Sequence, residues 1–532
     1  MESQNGTSES RETVFLGIDL GTSHLKVSAF DPRGRILAAG RAPVPMIRPQ
    51  PGYSEQDTSG WWQLLCSILR RIERETPDVL ARTGVISVCG HSHGPTPYAR
   101  DRGALGPCIT WLDQRGRDEV EWMVSSIGED AFLAEGNVPL DTCYTAAKLL
   151  WIRNHRPTIY RGADVFLLPK DVLVHRLTGV FSTDFTDASV TNLFSSNTFD
   201  WSETLLKRCG LDVSKLPPVR RPWDVVGEVT TAASQETGLK PGIPVIAGAA
   251  DWACLYYGAG GIRPGVLVDL SGTVGGLVVT TEDDAVGFPG MPSLLPGLRN
   301  SIAGCLEASS VTYEWFTDGF GPDDAAGHPG SRFALMDGEA ADVRPGSEGL
   351  LILPRFAGAR RPQRENSRGV IFGLTLGTKR AAIARAILEG IAYEARRAVE
   401  RIIDAGVPVD DIRAIGGGAR SELSLRIKAD VTGKTYCVLS QAETGTFGAA
   451  MLGGYAVGAF CSLEEPIDRL QSVKDRILPR AQHKEIYDAL YPVYCHFSDA
   501  LDTSTLYDEL ENALRLSVSD SAGLDQRKEP NE

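Results

Sequence analysis

Val14-Phe15-Leu16-Gly17-Ile18-Asp19-Leu20-Gly21-Thr22-Ser23 is an apolar run that ends on a carboxylate and turns at a Gly-Thr-Ser corner. Beyond it Leu25, Val27 and Ala29 alternate with His24, Lys26 and Ser28, the period of a strand with one buried face. Asp31-Pro32-Arg33-Gly34 turns the chain again into Arg35 to Ala39, so the opening predicts a three-strand meander. Downstream, Val266-Leu267-Val268-Asp269-Leu270-Ser271-Gly272-Thr273 repeats the order of apolar strand, Asp-Leu and Gly-Thr, and Gly276 to Thr280 reads as its returning strand. This echo predicts an internal duplication, two halves that each open on the same hairpin.

Between the two hairpins, Leu64, Leu65, Ile68, Leu69 and Ile72 give Trp61 to Glu75 a helical period, and Val85 to Val88 is a β-branched run ending at Gly90. Strands and helices alternate, which predicts an α/β layered fold. Lys379 to Ala405 is a long amphipathic helix stopped at Gly406, followed by a strand at Ile412 to Ile415. Gly258 to Gly265 offers hinge residues between the halves, so the expected organisation is a polar leader at 1–12, one domain at 13–260, a second at 261–517 and a polar tail at 518–532.

With 532 residues, 42% hydrophobic and 23% charged, the composition is that of a folded globular chain. Lys and Arg number 54 against 68 Asp and Glu, a net charge of -14, which argues against non-specific attraction to nucleic acid or anionic lipid. The polar start carries no secretory h-region and no window is long and apolar enough to span a bilayer, so a cytoplasmic location is expected. The ten cysteines form no C-x-x-C pair and read as reduced, mostly buried thiols. Asn5-Gly6-Thr7 fits a glycosylation sequon and reads as a solvated tail.

Three places hold residues suited to chemistry. At the first corner, Asp19 is placed to hold magnesium through water, while Gly21, Thr22, Ser23 and Lys26 suit phosphate oxygens; a plain hairpin turn favours most of the same residues. Its echo at Gly272 and Thr273 strengthens the phosphate reading. The second place is Gly416-Gly417-Gly418-Ala419-Arg420, between a strand and a helix, where helical N–H groups would face a ligand and the missing Cβ atoms would admit a flat purine; a simple close-packed connection reads equally well. The third is Asp251, after the strand Pro244 to Ala247 and at the head of a helical run, either a helix N-cap or a catalytic base whose ionised form the helix N-terminus would favour. Neither usual nucleotide fingerprint competes: Lys428 stands where a P-loop ending in Gly433-Lys434-Thr435 needs its first Gly, and Gly258-Ala259-Gly260 lacks a later Gly.

These features in this order resemble the FGGY family of carbohydrate kinases, its xylulokinase-type members in particular, from about Val14 to Leu490. Ser54-Glu55-Gln56-Asp57 with Trp61-Trp62, Trp111 to Arg115, Leu168-Pro169-Lys170-Asp171, Arg385 to Gly390, Gly416 to Ser421 and Ala429-Asp430 carry the likeness. The resemblance implies an actin-like ATPase core with a ribonuclease H-like fold, two related domains around a cleft, and transfer of the γ-phosphoryl of ATP to a sugar hydroxyl with Mg2+. It implies Asp251 as general base, Asp19 as the magnesium-associated carboxylate, and Ser92, His93, Trp111, Asp251 and Trp252 at the sugar. Gly21, Thr22, Ser23, Lys26, Gly272, Thr273, Gly416, Gly417, Gly418 and Arg420 would serve the nucleotide. Lone His93 would otherwise read as a loop or core histidine, and with His91 it is too little for a metal site. A sugar or polyol partner is expected, no nucleic acid and no membrane, and a homodimer stays open. The chain departs from the xylulokinase pattern at Ser92 (usually Met), Trp252 (usually a small polar residue), Ala359 (commonly Glu) and Arg426 (commonly Gln). The resemblance makes a pentulose of the xylulose type the first expectation; the departures fall where the sugar and the cleft edge are read and keep a tetritol, glycerol or deoxysugar as the second, and a catalytically weak regulatory protein on the same fold is the third.

Overall fold

A computed structural model describes residues 12–272, 275–282, 290–306, 309–321, 329–356, 358 and 366–514. The polar tail expected at 518–532 and all of the leader except Glu12 lie outside this range, as do Thr273 and Ala359. The chain forms two compact units, one of Met1–Pro264 with Thr280–Ser301 and Ser440–Ser472, the other of Gly265–Val279, Ile302–Leu439 and Val473–Glu532.

In the first unit the meander forms as the alternation predicts: β1 (Val14–Leu20), β2 (His24–Phe30) and β3 (Ile36–Pro43) are antiparallel neighbours. β1 is buried along its whole length, because β4 (Thr83–Gly90) pairs parallel on its other side. Helix α1 (Thr58–Glu75) starts where the Asp57 carboxylate accepts from the Ser59 N–H, and buries Trp61, Trp62, Leu65, Ile68, Leu69 and Ile72. Two more helices matter below: α2 (Pro169–Thr178) and the short α3 (Phe185–Ser189). The sheet is completed by β5 (Val225–Glu228) and β6 (Pro244–Ile246), in the order β5-β6-β4-β1-β2-β3, with β7 (Ala249–Ala250) pairing parallel to β4. Helix α4 (Asp251–Gly258) follows β7 directly.

The second sheet is built alike. β8 (Leu267–Ser271) pairs antiparallel with β9 (Gly275–Glu282) and parallel with the strand after a long helix. With β10 (Leu298–Leu306), that helix α5 (Arg380–Asp404), β11 (Asp411–Ile415), α6 (Glu422–Thr432), β12 (Thr435–Leu439) and β13 (Val473–Ile477), the order is β10-β9-β8-β11-β12-β13, with the short strand Gly290–Pro292 antiparallel to β10 at the edge. The outermost pair is antiparallel in both sheets, β6 with β5 and β12 with β13. Five strands share one order in the two sheets, β3-β2-β1-β4-β6 in the first and β10-β9-β8-β11-β12 in the second; this is the duplication that the echo announced, and the two sheets form the actin-like ATPase core. Among the described residues no helix is long and apolar enough to cross a membrane.

The first unit also takes in the helix Thr444–Ala456, buried at every position from Thr444 to Gly454. It lies so close to its neighbours that glycine is required: a Cβ on Gly17 of β1 would stand 2.1 Å from the Thr446 carbonyl oxygen, and one on Gly448 would stand 2.2 Å from the Cys254 carbonyl oxygen of α4. Backbone cannot yield as a side-chain tip can. Gly448→Ala is therefore expected to destabilise by about 1–3 kcal/mol, a fall in Tm of about 5 °C, measured by calorimetry. An unchanged Tm would mean the two helices can part freely.

Candidate active site

Parallel pairing sets Leu20 of β1 opposite Gly90 of β4, and Gly90 opposite Ala250 of β7. The carboxyl ends of three strands thus lie side by side, where ligands of open α/β sheets bind. Asp19 sits at the end of β1, the Gly90–Gly94 loop leaves β4, and Asp251 follows β7.

Asp251 is not the N-cap of α4. Ala250 holds that position, and Asp251 is the first helical residue, its Oδ1 accepting from the Trp252 N–H at 2.7 Å. The expectation of a readily ionised carboxylate fails too. Burial, and then the negative charge of Asp19, push the Asp251 carboxyl up to about 7, outweighing the Trp252 N–H bond. Burial likewise raises Asp19 to about 6, with Lys26 working against the rise and Glu443 adding to it. Lys26 stands opposite Asp19 in the β1–β2 register, and its ammonium makes a 2.8 Å ion pair with Glu443. The Thr444–Ala456 helix begins beside Asp19: a Cβ on Gly445 would lie 2.9 Å from Asp19 Oδ2.

The corner itself is a closed hairpin, in which the Gly21 N–H donates to the His24 carbonyl at 3.0 Å and the Ser23 carbonyl accepts from Val44 at 2.8 Å. The Thr22 hydroxyl accepts from the Trp111 indole N–H at 2.9 Å, which joins a residue expected at phosphate to one expected at sugar. The Thr22 carbonyl accepts from Gln56, whose amide oxygen lies 3.0 Å from His91 Nε2. Burial lowers the His91 imidazole to about 4, so it is neutral, and its Nε2–H donates to Gln56. His93 adopts a φ of 73°, uncommon outside glycine, with its Nδ1 2.8 Å from the Val190 carbonyl and its ring edge-on to Tyr144. Ser92 is buried beside it. Trp252 is half-buried with its ring tilted towards Tyr256, and its buried indole N–H meets no acceptor among the described residues.

A group the sequence did not single out lies behind these strand ends. Lys170, fully buried, faces Asp171 at 2.5 Å, Asp184 at 3.0 Å and Asp187 at 3.4 Å. Burial raises Asp171 and Asp187 above the usual carboxylate range despite Lys170, and the three carboxylates hold the lysine well above its ordinary value. Lys170 and Asp171 belong to a family-like stretch, whereas only the clustering of acids in an otherwise uncharged stretch hints at Asp184 and Asp187.

In the second unit the glycine loop meets the second corner. Gly416, at φ 86°, and Gly418 are pressed on the end of β8, where added Cβ atoms would lie 3.0 Å from the Ser271 carbonyl oxygen and 2.9 Å from the Ser271 Cβ; a Cβ on Gly417 would meet nothing within 4 Å among the described residues. The Gly272 carbonyl accepts from the Ser310 N–H at 3.1 Å. Contrary to expectation the helix does not start at the loop. A 3-10 turn, Gly417–Arg420, intervenes, and Ser421 caps α6 by accepting from the Ser424 N–H. Arg420 is exposed on this turn, and Arg426 pairs with Glu422 on the surface. Asp269, the counterpart of Asp19, is neutralised: Lys428 Nζ lies 2.7 Å from its Oδ2 and 2.7 Å from the Ser271 hydroxyl.

Two family models match the chain, the N-terminal domain of the FGGY family of carbohydrate kinases over 14–256 and its C-terminal domain over 279–457. The chain is 30% identical to the xylulose kinase of Bacillus subtilis (strain 168) over 483 residues, 90% of this chain and 95% of that one. It belongs to the FGGY family of carbohydrate kinases. The gluconokinase of the same organism is 26% identical over 92% of this chain and 96% of its own length. Among solved structures, xylulose kinase from Rhodospirillum rubrum superposes with a TM-score of 0.81 at 27% identity, covering 92% of this chain and 99% of that one. The FGGY chain described here is thus a sugar kinase, an enzyme whose family implies ATP as donor and a small-molecule sugar as acceptor. Asp19, Thr22, Trp111 and Asp251 fall within the N-terminal FGGY match, and Gly416 to Gly418 within the C-terminal one.

Proposed function

We propose that the enzyme transfers the γ-phosphoryl of ATP to a hydroxyl of a pentulose of the xylulose type, with Asp251 as the general base. The observation that carries this reading is the placement of Asp19 at the end of β1 and of Asp251 directly after β7, two strands that both pair parallel with β4, with the Asp251 carboxyl raised to about 7, near the pH at which a base both ionises and accepts a proton well. Phosphoryl transfer asks chiefly for in-line positioning and charge neutralisation, so the base assists a reaction that the surrounding donors organise. In this reading His93, Ser92, Trp111 and Trp252 line the sugar, the 21–23 corner with Lys26 and the Gly272–Thr273 corner serve the phosphates, and Gly416 to Gly418 with Arg420 receive the nucleoside.

Asp19 suits a hydrated magnesium ion. It is a hard oxygen donor whose negative charge burial disfavours in spite of Lys26, so a cation would stabilise its ionised form. When bound, Mg2+ neutralises charge on the transferred phosphoryl group.

Xylulose is favoured because xylulose kinases stand among the relatives at 30% identity; another polyol (a tetritol, glycerol or a deoxysugar) or a sugar acid is the second reading, because the Trp252 indole takes up space and removes a small polar group where that pattern has one, and a gluconokinase is also similar. ATP consumption measured over pentuloses, tetritols, glycerol, deoxysugars and gluconate decides between them. Turnover restricted to pentuloses is the expected result, and sugar binding without turnover anywhere on the panel would replace the kinase reading with a regulatory one. Trp252→Asn is expected to change the ratio of kcat/KM for gluconate to that for xylulose by about tenfold. A ratio unchanged within about twofold would remove Trp252 from the acceptor site.

A further inference from the structure

Helix α3 has only five residues, yet it is buried throughout and ties two parts of the first unit together. Asp184 caps it: Oδ2 accepts from the Thr186 N–H at 2.7 Å and from the Thr186 hydroxyl at 2.5 Å. The same hydroxyl oxygen accepts the backbone N–H of Ala250 at 2.9 Å. A hydroxyl has one proton, and here it goes to the carboxylate, so the lone pair is left for Ala250 and the polarity of the chain is fixed. Lys170 Nζ, 3.0 Å from Asp184 Oδ1, pairs with the other oxygen of that carboxylate. A continuous series results, from the Ala250 N–H through Thr186 and Asp184 to Lys170, and Asp184, Thr186, Lys170 and Ala250 are all 0% exposed.

Ala250 is the residue before Asp251, and α4 has no side-chain cap of its own. The peptide that carries the base is therefore held by β7 pairing with Gly90 on one side and by Thr186 on the other. We infer that Thr186 is a positioning residue for Asp251, the tether through which the buried lysine–carboxylate cluster sets the backbone bearing the base. The inference rests on Asp251 acting as the base. Its physical ground is that a general base must lie within hydrogen-bond reach of the hydroxyl it deprotonates, and a displacement of about 1 Å can lower a rate by up to about 100-fold.

A double-mutant cycle on the full-length enzyme tests it. Thr186→Val keeps the shape of the side chain and removes both hydrogen bonds. It is expected to lower kcat about tenfold while KM for ATP stays within about twofold, because the change falls on the placement of the base. Thr186→Ser, which restores the hydroxyl, is expected to recover kcat to within about threefold of the parent. In the Asp251→Asn background Thr186→Val should lower the residual kcat by less than about twofold, since the group it places is gone. The same tenfold fall in both backgrounds, or no fall in the parent, overturns the inference while leaving Asp251 as base; full activity of Asp251→Asn alone overturns the base and with it the role of the tether. Should Thr186→Val not fold, Thr186→Ala, which leaves room for a water, is read by the same criteria.

Discussion

Asp251→Asn is expected to lower kcat by about 100-fold or more with the fold intact. The amide has the shape of the carboxyl and keeps an oxygen for the Trp252 N–H bond at 2.7 Å, so α4 retains its first turn. What it loses is the ability to take a proton from the acceptor hydroxyl. Backbone donors and magnesium still act on the phosphoryl group, which is why a residual rate is expected. The parent enzyme should show kcat/KM rising with pH through about 7, the value to which burial and Asp19 push the Asp251 carboxyl, because only the ionised form is a base. The variant should lose this limb. Stability moves the opposite way. The folded pKa lies above the ordinary aspartate value of 3.8, so between those values the folded state binds more protons than the unfolded one, and the parent loses stability as pH rises from about 4 to about 7. Asparagine carries no such term. The variant should therefore melt above the parent at pH 8, with the gap closing towards pH 4. Near-parent turnover at pH 8 would reject Asp251 as the base, and a lower melting temperature there would attribute the lost rate to misfolding.

The parts of the molecule that could be read from sequence are those whose physics is local. The β1–β2–β3 meander shows directly as alternation and turn residues, and the helix predicted over Lys379 to Ala405 forms at Arg380–Asp404 because its apolar stripe is continuous. The Asp269 echo is legible as a motif, and the shared strand order explains it; that Lys428 neutralises one aspartate while its counterpart Asp19 is raised to about 6 is not legible, since the lysine lies 159 residues away. The helix Thr444–Ala456 has no polar face to set a period, being buried all round, and its glycines have a purpose only once β1 and α4 are beside them. Asp251 could be placed at a strand-to-helix junction from its flanks. Its protonation could not, because the charge that shifts it belongs to residue 19 and the burial to tertiary packing.

Lys170→Met is expected to destabilise the enzyme by about 3–5 kcal/mol, the cost of stranding buried charge, far more than the loss of one surface ion pair. Methionine approximates the volume of the lysine stem, so packing is largely kept, and the effect reads out electrostatics. Lys170 is the cation that faces Asp171, Asp184 and Asp187, all of them 0–1% exposed. Burial already raises Asp171 and Asp187 with the ammonium in place; without it their folded-state pKa values move further up. A carboxyl whose folded pKa is raised contributes a penalty that is absent below its unfolded value, near 4, and grows as pH rises towards the folded one. The loss in Tm should accordingly be about 10 °C or more at pH 8 and clearly smaller at pH 5. Asp187→Asn in the same background removes one stranded charge and should recover part of the loss, a coupling that independent sites would not show. A Tm difference that does not change with pH would mean the lysine acts through packing, and the cluster would then have no electrostatic hold on Asp184. That hold decides more than stability, because Asp184 receives the Thr186 hydroxyl and Thr186 receives the N–H of the residue before Asp251. Lys170→Met should therefore also lower kcat at pH 8, by an amount that Asp187→Asn does not fully restore, since the ammonium opposite Asp184 is still missing.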